Sequence, residues 1–125
     1  QTGRKTLRFA AAAGHIKNGE PDIEIIAFSG PLFFTGMEEL RQRIKDTSKP
    51  TVICDFSAVP AIDESGALAL KKLFAAQKRL GKRIYLAGLR PRPLEILTRL
   101  DAVNPREHEL VTADAAHVVK HVSRI

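Results

Sequence analysis

The sequence holds one cysteine, Cys54, so no disulfide can form within the chain and its fold must rest on an apolar core. It has no tryptophan and one tyrosine, and its six phenylalanines do not interleave with basic residues. A stacking platform for single-stranded nucleic acid therefore has few residues to build it, and the positive charge alone does not argue for such a partner. No apolar run approaches the ~20 residues of a membrane span. The N-terminal one, Phe9 to Ala13, stops at Gly14 and is also too short for a secretory signal. There is no glycine-rich phosphate loop. Ser65 has no glycine two positions before it and no evident histidine partner, so a hydrolase nucleophile is unsupported. Among the histidines, only His117 and His121 share a helical spacing. No glutamate follows His117 and no third ligand is evident, so no metal site is assigned.

What is present is an ordinary globular balance: 125 residues, 44% hydrophobic and 27% charged, enough to bury a core without cross-links. The chain reads as a single domain over 1–125, and its start at Gln1 reads as a piece of a longer protein. The formal charge of +6 suits an anionic lipid surface or an acidic partner. Basic residues gather at Lys78, Arg79, Lys82 and Arg83, and again at Arg90, Arg92, Arg99 and Arg106. If the second group shares a face, it would meet lipid headgroups at about 1 kcal/mol per charge.

Hydrophobic spacing and turn residues predict strands at 5–13, 23–28, 51–56 and 84–87, with a short further strand at 109–111. The first two, with a loop and no helix between them, predict an antiparallel pair. Helices are predicted from Thr35 to Asp46, with Glu38 at the capping-box position, and from the Asp63 cap to Leu80, stopped by Gly81. Leu70, Leu73, Phe74 and Leu80 are expected to face inward. A third helix starts near Pro93, and a last one, capped by Thr112 or Asp114, carries Val118, Val119 and Val122. Strands alternating with helices predict an α/β fold: a mixed, mostly parallel β-sheet of four to five strands with about four helices packed against it.

Two segments resemble a known family. The run from Asp55 to Leu68, DFSAVPAIDESGAL, resembles the signature of STAS domains, in which a central strand leads through Asp-x-Ser-Gly into a helix. Gly30 to Gly36, GPLFFTG, resembles the corresponding segment of the SulP (sulfate permease) anion-transporter branch. With the element order, the resemblance covers about residues 20 to 125. Residues 1–20 are poorly matched, and Glu64 stands where many relatives carry a small residue. The resemblance implies a non-enzymatic regulatory domain on the cytoplasmic face of the inner or plasma membrane, with no cofactor. Its partner would be the transmembrane domain of a parent transporter. A second cytoplasmic protein, a nucleotide and anionic lipid are further candidates, and nucleic acid is not among the partners. Pro31, Leu32, Phe33 and Phe34 are then candidate partner contacts.

The alternative is a free-standing anti-sigma-factor antagonist switched by phosphorylation of Ser65. Asp63, Glu64, Ser65 and Gly66 are the candidate phosphorylation or anion- and nucleotide-binding residues, because a helix start offers free N–H groups and a favourable dipole. A phosphate on Ser65 would add about 1.5 to 2 negative charges beside Asp63 and Glu64, offsetting part of that benefit. The plain reading is that Asp63 only caps the helix and Ser65 only fills its first turn. A response-regulator receiver with Asp55 as phosphoacceptor is a further alternative. It lacks the adjacent acidic pair near the first strands and a lysine late in the sheet.

Overall fold

The computed structural model describes residues 8–11, 22–30 and 37–123. The element order is β1 (Arg8–Ala11), β2 (Ile23–Ser29), α1 (Met37–Asp46), β3 (Thr51–Ala58), α2 (Glu64–Arg79), β4 (Arg83–Ala87), α3 (Pro91–Arg99), α4 (His108–Thr112) and α5 (Ala115–Ser123). A 3-10 turn at Pro105–Glu107 precedes α4. The sheet order is β1-β2-β3-β4. β1 runs antiparallel to β2, as expected, and β2, β3 and β4 are mutually parallel.

β3 carries the fold because it has a strand on each side and a layer on each face. Side chains alternate across a strand. Val52, Cys54 and Phe56 meet Leu40 and Ile44 of α1, Leu70 and Phe74 of α2, and Leu97 of α3. Ile53 points the other way, with Ile25 and Ala87, against Val118, Val119 and Val122 of α5. This double covering explains the unbroken β-branched and apolar run at the start of β3. Phe28 and Phe56 pack edge to face with ring centroids 4.8 Å apart. Cys54 is fully buried, and loss of hydration pushes its thiol up to about 12, with the Asp55 charge adding to the shift.

β3 is longer than the sequence predicts, running to Ala58, and it is irregular at that end. Between the paired positions Ala27–Asp55 and Ser29–Ala58, β2 has one residue, Phe28, and β3 has two, Phe56 and Ser57. Such a bulge leaves an N–H without its ladder partner. Here the Asp55 carboxylate supplies the acceptor, taking the Ser57 N–H at 3.0 Å. Gly88, just past β4, lies directly against this bulge. A Cβ at Gly88 would stand 2.9 Å from Asp55 Oδ1, from Ser57 Cβ and from the Ser57 nitrogen, and Gly88 has a positive φ of 67°. Gly81 ends α2 with φ of 97°, as a C′ glycine should.

Two expectations are corrected. Residues 109–111 lie in α4, not in a strand, because Pro105 starts a helical turn that continues through Thr112. Leu80 does not face inward: it follows the last turn of α2 and is 76% exposed. The His108 Nε2 lies 3.3 Å from the Thr98 hydroxyl. Asp114, not Thr112, caps α5 by accepting from the His117 N–H at 2.8 Å. The Thr112 hydroxyl instead bonds back to the His108 carbonyl. Thr35 and most of the loop at 14–22 lie outside the described residues.

Candidate functional site

The start of α2 is built by Asp63. Its backbone is extended, with φ −80° and ψ 168°, and its carboxylate accepts from the Gly66 N–H at 2.6 Å. Its carbonyl accepts the first helical bond, from Ala67 N–H at 2.8 Å. This is the N-cap geometry that the sequence predicts. It also spends the Gly66 amide, so an incoming anion would compete with a carboxylate for that donor. Gly66 is buried, while Asp63, Glu64 and Ser65 are exposed. Glu64 faces Arg99 at the end of α3, 3.9 Å away, with both side chains largely in water. Such a pair contributes little to stability, although it places a cation next to the Ser65 turn.

Ser65 also stands at the rim of a groove between α1 and α2. Met37 and Arg41 line one wall; Leu68, Lys72 and Leu80 line the other, and the volume is about 840 Å³. The two exposed large hydrophobic residues among those described, Leu68 (43% exposed) and Leu80, both lie on this groove. An apolar surface left in water in this way costs hydration. On its α1 side Glu38 and Arg41 are hydrogen-bonded at 3.1 Å, which holds the Glu38 carboxyl below its usual range and the Arg41 guanidinium above its own. Lys72 adds a second exposed cation on the opposite wall.

Sequence reasoning located the Asp63–Gly66 turn but missed the groove. Leu68 lies on α2 and Leu80, twelve residues on, just past its end, and only the position of α1 shows that they flank one surface. Pro31, Leu32, Phe33 and Phe34 lie outside the described residues. Asp55 is half-buried at the β3 bulge, with its carboxylate engaged by the Ser57 N–H. Among the described residues no three His, Cys, Asp or Glu side chains gather as a metal-binding group. His117 and His121 are both exposed on α5. No helix among the described residues is long and apolar enough to cross a membrane.

Comparison with known proteins agrees with this architecture. The family model for the STAS domain matches residues 16–106. No curated protein sequence matches the chain. Among solved structures, murine Solute Carrier 26 family member A9, an anion transporter in the inward-facing state, superposes with a TM-score of 0.71 at 18% identity. That match covers 98% of this chain and 23% of the transporter, so the chain spans about a quarter of that protein. A sulfate transporter family protein from Wolinella succinogenes gives 0.68 at 21% identity, over 87% of this chain and 93% of that one. An antisigma-factor antagonist STAS domain from Rhodobacter sphaeroides gives 0.50 at 17% identity, over 64% and 84%. At these identities the superpositions establish a shared fold.

Proposed function

The chain belongs to the STAS domain family, and from that premise we propose that it is a non-enzymatic regulatory domain of a SulP-type membrane anion transporter. In this reading it sits on the cytoplasmic face of the membrane and works by docking. The observation that carries the reading is the α1–α2 groove, where both exposed leucines and the exposed Ser65 share one surface. A docking face of that form suits a protein partner, with an apolar floor and a charged rim.

A partner in the groove needs no rearrangement of the Asp63 cap, whereas a nucleotide or phosphate at the turn would have to displace the Asp63 carboxylate beside Glu64. We therefore place the regulatory contact in the groove and treat ligand binding at 63–66 as secondary to it. The reading frame that carries the chain provides the first test. A preceding region with several apolar spans of ~20 residues is expected. In the full-length protein, Leu68→Glu with Leu80→Glu should alter anion flux in proteoliposomes while leaving the fold intact, because both side chains already face water. Unchanged flux would remove the groove from the mechanism.

A second reading, an anti-sigma-factor antagonist switched at Ser65, is favoured by the exposure of that hydroxyl at a helix start beside the groove. A short free-standing reading frame, together with a kinase that phosphorylates Ser65 and not Ser65→Ala, would shift the assignment to it.

A further inference from the structure

The basic cluster at the end of α2 has no role in the groove, yet the fold gives it a distinct setting. β4 is an outer strand of the sheet, with β3 on one side and no strand on the other among the described residues. A cavity of about 400 Å³ touches Arg83, Ile84, Tyr85 and Leu86 in succession. Successive residues of a strand point to opposite faces, so a cavity meeting four in a row approaches β4 along its edge. Phe74, Val103 and Val111 supply apolar walls, and Lys78, Lys82 and Arg83 stand around the mouth against a single acid, Glu107.

The backbone direction at this edge follows from its neighbours. The Arg83 N–H bonds inward to Pro50 O on the β3 side, and the Gly88 N–H bonds outward to Ala113 O at 2.7 Å. Alternate residues share a direction, so Ile84 and Leu86 turn their N–H and C=O groups outward with Gly88. Gly88 and Leu89, just past β4, have their partners at the end of α4, at Ala113 O and Val111 O. Among the described residues no such bond covers the stretch from Arg83 to Leu86. Residues 109–111 are coiled into α4, which packs against β4, and the cavity lies between that helix and the strand edge.

We propose that this open edge binds an extended, acidic segment of a partner protein, which adds to the sheet as a short strand beside β4. Main-chain bonds to Ile84 and Leu86 would supply the pairing, and the apolar walls would take alternate side chains. The cations choose an acidic sequence. Lys82 is already held, its ammonium donating to Thr47 O at 2.6 Å and Lys49 O at 2.8 Å, so it offers a fixed positive charge. Lys78 and Arg83 are exposed at the mouth and would pair with carboxylates directly. The open stretch is four residues, about 13 Å at ~3.3 Å each, so a ligand strand of three or four residues fills it.

The test uses the 125-residue chain and a fluorescein-labelled heptapeptide of alternating glutamate and valine, with binding read by anisotropy. Saturable binding is expected, with slowed amide exchange at Ile84 and Leu86. Lys78→Glu and Arg83→Glu, both at exposed positions, should each weaken it about tenfold, the size of one lost charge-assisted contact. N-methylation of alternate peptide amides should abolish it, because that removes the donors while keeping the charge. Equal binding of the N-methylated peptide would overturn the proposal, leaving only charge attraction. Absence of binding at millimolar peptide would also overturn it. So would amide protection on α1 and α2 instead of β4, or protection of Ile84 and Leu86 by self-association without peptide. Lys78- and Arg83-dependent binding to phosphatidylserine vesicles, with no peptide binding, would assign the surface to a membrane instead.

Discussion

Gly88 and Gly81 provide a matched pair for testing how the end of β3 is built. Both have positive φ, and they differ in the space around the missing side chain. Alanine in a left-handed backbone costs about 1–2 kcal/mol. The stiffer unfolded chain returns about 0.4–1 kcal/mol of that. The net penalty is then roughly 1 kcal/mol at either glycine. At Gly81 nothing lies within 4 Å of the new Cβ, so the penalty ends there. At Gly88 the methyl would stand 2.9 Å from three atoms, one of them the Ser57 backbone nitrogen. Overpacking of that kind adds about 1–3 kcal/mol. Gly88→Ala should therefore lose about 2–4 kcal/mol against roughly 1 for Gly81→Ala. In urea, with a slope of about 1–3 kcal/mol per M, the two midpoints should separate clearly while the slope stays constant. Asparagine, which tolerates positive φ, should recover part of the loss at Gly81 and none at Gly88. Equal losses in the two alanine variants would mean that the β3 bulge yields to the methyl, and the close approach of the two strand ends would be refuted.

Asp63→Ala should cost about 1 kcal/mol, measured by urea denaturation, and Asp63→Asn should cost a few tenths because the amide oxygen still caps Gly66. Phe56→Ala should cost about 3–5 kcal/mol, since the ring is fully buried and its edge-to-face partner Phe28 would border the void; thermal melts would show it. The native Cys54 thiol should resist Ellman's reagent and react only as the protein unfolds. Its alkaline linkage is also fixed in sign. The unfolded thiol ionises near its ordinary 9.0 while the native one holds its proton to about 12, so the native state binds more protons in that window. Stability should then fall as pH rises from 9 towards 12, with a shallower fall in Cys54→Ala.

How much was legible in the sequence depended on how far each feature reaches along the chain. The Asp63 cap, the Gly81 stop and the apolar run of β3 were read correctly because each rests on the backbone chemistry of a few adjacent residues. The alternation of strands and helices followed from them and led to the parallel sheet. Leu80 was assigned inward from its spacing on α2, but a residue just past the last helical turn leaves the buried stripe, and the groove beside it exists only because α1 packs there. The 109–111 segment had an apolar, β-branched look that a strand and a helical turn share. The preceding Pro105 turn and the bonds from Gly88 and Leu89 decided for the helix, and with it for the cavity at the β4 edge. Gly88 shows the same division: its sequence neighbours say nothing of Ser57, thirty-one positions away, whose backbone it nearly touches. The sequence by itself determined the alternation of elements as far as α3, the Asp63 cap and the Gly81 stop, since these are local free-energy choices. Tertiary structure alone decided the groove, the bulge contact and the basic edge cavity, since each is a relation between segments that meet only when the sheet has closed around β3.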